Sequence, residues 1–229
     1  MNWSLEDFVY GATDGAVTTF AVVAGVIGAS LSPSIVLILG FANLLADGLS
    51  MAVGNYLAAK TRLEYIEKAR RREEWEIDNL VEQEKQEIRE IYTKKGFKEE
   101  LLEEIVRIIT SRRKVWVDTM MKEELGLIED SSRRPLETAL TTFVAFNLVG
   151  LIPLLPFVAM FIAGFALIST SDAFTYSVVL TGAAFFLIGG VKGKIVQKPL
   201  IRSGINTLLI GGIAASVAFV VGYLLNLVV

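Results

Sequence analysis

Neither cysteine nor histidine occurs in this chain. Without cysteine there is no disulfide framework and no thiolate metal site. Without histidine, metal chemistry falls to carboxylates, carbonyls, hydroxyls, amides or thioethers. Positive charge is also absent where a targeting peptide needs it. No lysine or arginine precedes Lys60, so MNWSLEDF lacks the basic start of a secretory signal. The first apolar run therefore reads as a retained span. A phosphate-cradling G-x-x-x-x-G-K-[ST] loop is missing too. GGVKGK at 189–194 has the wrong spacing and reads as helix packing followed by basic interface residues. These absences leave little support for an enzyme or an ATP-driven pump.

The charge that is present is confined. Of the 22 lysines and arginines, 18 lie within 60–134 and four within 192–202. Of the 25 acids, 19 lie within 64–130. That middle is nearly neutral, which argues against a nucleic-acid surface. Around it lie five apolar runs, at 8–29, 34–59, 136–161, 173–191 and 205–228. Each reaches the roughly 20 residues a helix needs to cross hydrocarbon. The expected fold is all-α: a polytopic membrane protein of five transmembrane helices, with a cytoplasmic three-helix domain inserted between helices two and three. The divisions fall at 1–59, 60–134 and 135–229. Basic residues prefer the cytoplasmic side, and five spans put both basic stretches there. The N-terminus is then inside and the C-terminus outside. The other links, 30–34 and 162–172, carry no lysine or arginine.

The charged middle reads as helices in water. Ile77, Leu80, Val81, Ile88 and Ile91 recur at near-helical spacing along 69–96, and Gly96 stops that helix. Two more follow at 97–110 and 114–126, the last with Gly126 as its C-cap. Span two enters the first of these without a glycine or proline, so one long helix is expected to leave the membrane. Glu73, Glu76, Glu84 and Glu87 repeat at spacings of 3, 8 and 3. Eleven residues make almost three turns, so the four would line one stripe. The third helix brings Met120, Met121 and Glu124. Oxygen ligands with a thioether suit a divalent first-row ion such as Fe²⁺ or Mn²⁺. An ordinary solvated acidic face has the same spacing, and glutamate is common throughout this segment.

Two acids stand inside apolar runs, Asp14 in the first and Asp47 in the second. A charge at mid-bilayer costs about 2.5–3.5 kcal/mol on insertion scales. Either Asp14 is hydrated near the interface, or it faces a polar path through a helix bundle. With no basic residue in either run, the pair looks like a cation or proton site. Asp14, Thr18, Ala21 and Gly25 share one helical face; Asn43, Asp47, Met51 and Gly54 share another. The small residues read as packing. Met51 reads equally as filler and as ligand.

Four pieces, TDGAVTTFAVVAGV, ADGLSMAVGNYLAAK, WVDTMMKEELGL and PLETALTTFVAFNLVGLIPLLPF, resemble the vacuolar iron transporter family in order and spacing over nearly the whole chain. The resemblance implies a homodimeric divalent-metal/proton antiporter with five spans per subunit and a cytoplasmic metal-binding domain. Fe²⁺ is then the substrate, with Mn²⁺ a further one, H⁺ the coupling ion, membrane lipid the surroundings, and no prosthetic group is involved. It implies that Glu73, Glu76, Glu84, Glu87, Met120, Met121 and Glu124 form the metal site, and that Asp14 and Met51 line the path. Plant-type members carry a glutamate where this chain has Asn43; here Asp47, one turn on, supplies the carboxylate. The direction implied is export from the cytoplasm, and the membrane reads as a prokaryotic cell membrane. The rival is a membrane-anchored metal buffer or sensor that transports nothing.

Overall fold

The computed structural model describes residues 5–128, 134–163 and 168–228. Among them all regular structure is helical. The chain divides into two compact units, Met1–Leu57 with Arg134–Val229, and Ala58–Arg133.

In the first unit each apolar run becomes helix. These are α1 (Leu5–Gly28), the first part of α2 (Pro33–Asn79), α6 (Pro135–Gly150), α7 (Leu155–Ile162), α8 (Thr170–Ile195) and α9 (Leu200–Asn226). Five helical stretches are long and apolar enough to cross a membrane, with Pro135–Ile162 counted as one. That third stretch is not straight. A 3-10 turn, Ile152–Leu154, separates α6 from α7. Pro153 and Pro156 lack the N–H groups an unbroken helix needs. The Ser177 hydroxyl, fully buried on α8, donates to the Pro153 carbonyl at 2.7 Å. One backbone acceptor exposed by the turn is thereby satisfied inside the bundle.

Helix α1 is the centre of this unit and packs against α6, α8 and α9. Glycine permits the approach to α6: a Cβ on Gly11 would lie 2.5 Å from the Thr142 carbonyl oxygen. The core around it contains Ala16, Val23, Phe146, Leu154, Phe157 and Phe185. Helix α8 starts at a side-chain cap, the Ser169 hydroxyl accepting from the Asp172 amide at 3.1 Å. Helix α9 begins five residues before the apolar run expected at 205, because Pro199 sets its N-terminus. Part of the expected 162–172 link lies outside the described residues.

The second unit holds the last part of α2, then α3 (Val81–Lys94), α4 (Glu99–Thr110) and α5 (Arg113–Glu123). The single helix expected over 69–96 is two. Helix α2 ends at Asn79, Leu80 sits at φ −122° and ψ 39°, and α3 starts at Val81. Neither glycine nor proline makes this break; packing does. Ile66 and Ile77 of α2 enter one apolar cluster with Ile88 of α3, Val106 of α4 and Trp116 of α5. A straight helix would set Ile66 and Ile88 about 33 Å apart. Gly96 (φ 97°) and Gly126 (φ 63°) close α3 and α5 in the left-handed conformation that glycine takes without strain.

Candidate metal site

Five carboxylates line one pocket of about 350 Å³ in the second unit. Glu73 and Glu76 come from α2, Glu84 and Glu87 from α3, and Glu124 from the end of α5. The stripe expected on a single helix is replaced by convergence across a fold. On an unbroken helix Glu73 and Glu87 would stand about 21 Å apart. With the chain folded at Leu80 they share the pocket, and their charges repel one another.

Burial and crowding set the electrostatics. Glu73 is 3% exposed and Glu84 2%. One carboxylate oxygen of each is buried with no hydrogen-bond partner among the described residues. Desolvation, and then the neighbouring charges of Glu124, Glu76 and Glu87, push Glu73 up to about 7. Desolvation followed by Glu87, Glu73, Glu124 and Glu76 brings Glu84 to about 7 as well. Glu124 is raised by burial and by Glu87 and Glu76, and held back by Arg72. A buried acid without a partner is costly, and either protons or a cation relieve it. Among the described residues no three such groups are gathered closely enough to ligate one ion. The pocket is therefore a set of five converging carboxylates that do not form a closed ligand set in this arrangement.

The rim carries residues that sequence reasoning missed. Tyr65, Lys68, Arg72 and Gln83 also line the pocket, and Arg72 pairs with Glu76 at 3.0 Å. Positions 65, 68, 72 and 76 fall on one helical face, a signal the sequence did contain. Met120 and Met121 are placed differently from the glutamates. At 0% and 2% exposure they sit in the apolar cluster of this unit, and neither lines the acidic pocket. Met121 instead borders a cavity of about 220 Å³ next to Arg70 and Asp118, which are ion-paired at 2.8 Å.

In the first unit the polar residues of α1 and α2 meet. Asp14 is half-buried and within electrostatic range of Asp47. The Thr18 hydroxyl donates to the Asp14 backbone carbonyl at 2.8 Å. The Asn43 amide donates to the hydroxyls of Thr18 and Thr19, each at 3.4 Å. Asp47 is exposed on α2, whereas Met51 is half-buried against the apolar core. Thr19 and a further pair, Asn55 donating to Thr142 at 2.7 Å, extend the polar contacts beyond the residues singled out from sequence. The small-residue stripe of α2 is not a close-packing face at Gly54, where an added Cβ would meet nothing within 4 Å.

The sequence pattern of the VIT family matches residues 5–223. A protein of Toxoplasma gondii named vacuolar iron transporter is 42% identical over 224 residues, covering 96% of this chain and 74% of that protein. One of the same name from Centaurea cyanus is 38% identical, covering 94% and 85%. Vacuolar iron transporter 1 of Arabidopsis thaliana is 36% identical, covering 94% and 83%. With five apolar helices long enough to span a bilayer and a family match over nearly its whole length, the chain is an integral membrane protein and belongs to the VIT family.

Proposed function

We propose that this protein carries a divalent transition metal, Fe²⁺ foremost and Mn²⁺ as an alternative cargo, out of the cytoplasm in exchange for protons. The observation that carries the reading is the pocket of five glutamates, two of them buried with an unpartnered oxygen. A divalent cation compensates two such charges at once. The relatives named for iron transport support the choice of cargo.

In this reading the second unit is the cytoplasmic capture domain. The 18 basic residues of 60–134 and the four of 192–202 put both stretches on the cytoplasmic side. Glu73, Glu76, Glu84, Glu87 and Glu124 take the ion. Met120 and Met121 lie in the apolar cluster of this unit, outside the pocket, and join the ligands only on a rearrangement of α5. The ion passes to Asp14, Asn43, Asp47 and Met51 in the spans. Protons from the far side neutralise the carboxylates and release it, since crowded acids hold protons near neutral pH.

A homodimer completes the path. Asp47 is exposed on α2 between Leu45 and Leu49, which are 63% and 59% exposed. A carboxylate facing lipid costs about 2.5–3.5 kcal/mol, and a second copy covering this face removes that cost.

The test is Fe²⁺ flux into proteoliposomes under an imposed pH gradient. Flux that follows the gradient supports the antiporter. Flux indifferent to it removes proton coupling. A folded protein that binds metal but moves none is a membrane-anchored buffer or sensor.

A further inference from the structure

Two of the five pocket carboxylates are held by a side chain one turn earlier on their own helix. On α2 the Arg72 guanidinium donates to Glu76 at 3.0 Å. On α3 the Gln83 amide donates to Glu87 at 3.2 Å. All four residues line the pocket. The more deeply buried acids, Glu73 and Glu84, have no such donor, and each keeps a buried oxygen without a partner.

The Arg72 pair differs from the other one-turn pairs of α2. Lys60–Glu64 and Glu67–Arg71 stand 3.8 and 3.7 Å apart with every side chain more than half exposed, and such pairs add little. The Glu76 side chain is 19% exposed and that of Arg72 76%. One partner therefore faces the pocket while the other has water to swing into. Among the described residues Glu76 is the one pocket carboxylate in an ion pair. Burial and neighbouring acids raise Glu73 and Glu124, and the Arg72 charge opposes both shifts. Lys68, the other cation of the rim, is ion-paired to none of the five.

A divalent ion taken up by Glu76 would stand within a few ångströms of the guanidinium, and like charges at that range repel. Gln83 is neutral and presents no such obstacle at Glu87.

We propose that Arg72 is an exchangeable counter-cation of the metal site. It holds Glu76 when the pocket is free of metal, swings into water as the ion enters, and returns as the ion leaves. Arg72 thereby keeps the affinity below what five carboxylates alone would give. An ion that has to be passed on needs a site it can leave. The proposal rests on the reading of this pocket as a divalent-metal site.

The test is calorimetric titration of the full chain in detergent with Mn²⁺. Arg72→Gln should tighten binding by roughly two- to fivefold, the range of one partly exposed ion pair. A substitution that merely loosened the fold would weaken binding instead. Lys68→Gln also removes a rim charge but breaks no pair with a pocket acid, so it should tighten binding less. In the wild type, saturating Mn²⁺ should raise phenylglyoxal labelling of Arg72 relative to that of Arg113, which pairs with Asp78 at 2.9 Å away from the pocket. Unchanged or weaker affinity in Arg72→Gln would overturn the proposal. An equal gain in Lys68→Gln would reduce it to general charge and overturn it likewise, as would Arg72 labelling that Mn²⁺ does not raise. Should Arg72→Gln not fold, the labelling of the wild type decides. A wild type that binds no Mn²⁺ would remove the metal reading of the pocket and this exchange together, whereas binding without displacement of Arg72 would remove the exchange alone.

Discussion

Glu73 on α2 and Glu84 on α3 stand on either side of the helix break at Leu80, both buried in one pocket and each repelling the other. The break is what makes them neighbours, and the strain of their proximity is available to whatever neutralises them.

Both glutamates have folded-state values of about 7, above the ordinary 4.5. The folded form thus keeps protons that the unfolded chain has released. Their contribution to stability is full below the unfolded value and is lost as pH rises through about 7. In EDTA, the thermal midpoint of the full chain should fall between about pH 5 and about pH 8. Mn²⁺ added at the upper end should restore it, and should do little at the lower end. A midpoint that rises with pH in EDTA would refute the assignment.

Glu73→Gln removes one buried charge from the cluster. It should flatten that pH dependence and raise the midpoint of the metal-free chain at alkaline pH. It should also weaken metal binding. An ionic contact is worth ~1.5–3 kcal/mol, so calorimetry should find roughly a ten- to hundredfold loss of affinity. Unchanged affinity would show that the ion binds without Glu73.

Met120 separates ligand from core. If it is only core, Met120→Leu conserves volume and costs under about 1.5 kcal/mol, with metal affinity intact, while Met120→Ala costs ~2–5 kcal/mol. If the thioether reaches the ion, Met120→Leu weakens binding of the softer Fe²⁺ more than that of Mn²⁺. Its complete burial favours the first outcome. Titration of both metals with both variants distinguishes them.

Asp14→Asn should abolish Fe²⁺ flux in proteoliposomes while leaving metal binding by the glutamate pocket unchanged, because the two lie in different units. Flux that survives would make Asp14 a hydrated bystander of the path.

Two glycines should respond oppositely to alanine. At Gly11 the new Cβ would press on the Thr142 backbone, which cannot rotate away, so Gly11→Ala should destabilise by ~1–3 kcal/mol. Gly54 has no neighbour within 4 Å inside one chain but shares the Asp47 face that the proposed second copy covers, so Gly54→Ala should stabilise a monomer by roughly 0.5–1 kcal/mol and weaken a dimer. Thermal midpoints of the two variants in detergent provide the check.

The spans were legible because length and apolarity alone define them. Helices α1 and α8 differ from the apolar runs by only a few residues, whereas the turn at Ile152–Leu154 interrupts a run expected as one span. Leu80 was not legible. A leucine between two helix-forming segments gives no local sign, and the break comes from the gathering of Ile66, Ile77 and Ile88 into one core. The glutamates do line one pocket, but through a fold at Leu80 and not through the stripe on a straight helix. A 3, 8, 3 spacing on a straight helix would have spread them over about 21 Å. Met120 and Met121 show the converse. Their place beside Glu124 in sequence says nothing about which side of α5 faces the acids, and packing turned them inward. Asn43 bonding to Thr18 and Thr19 could be anticipated only as far as polar residues in neighbouring spans tend to meet.

The burial of the methionines has a chemical consequence. Fe²⁺ with peroxide generates oxidants that attack sulfur first, and methionine sulfoxide is polar enough to disrupt a core. This chain has no cysteine, and Met120, Met121 and Met160 are at most 4% exposed. Carboxylates, which make up the pocket, are inert to such oxidants. With redox-active iron as the proposed cargo, these three sulfurs lie out of its reach, whereas Met51, half-buried beside the proposed path, does not.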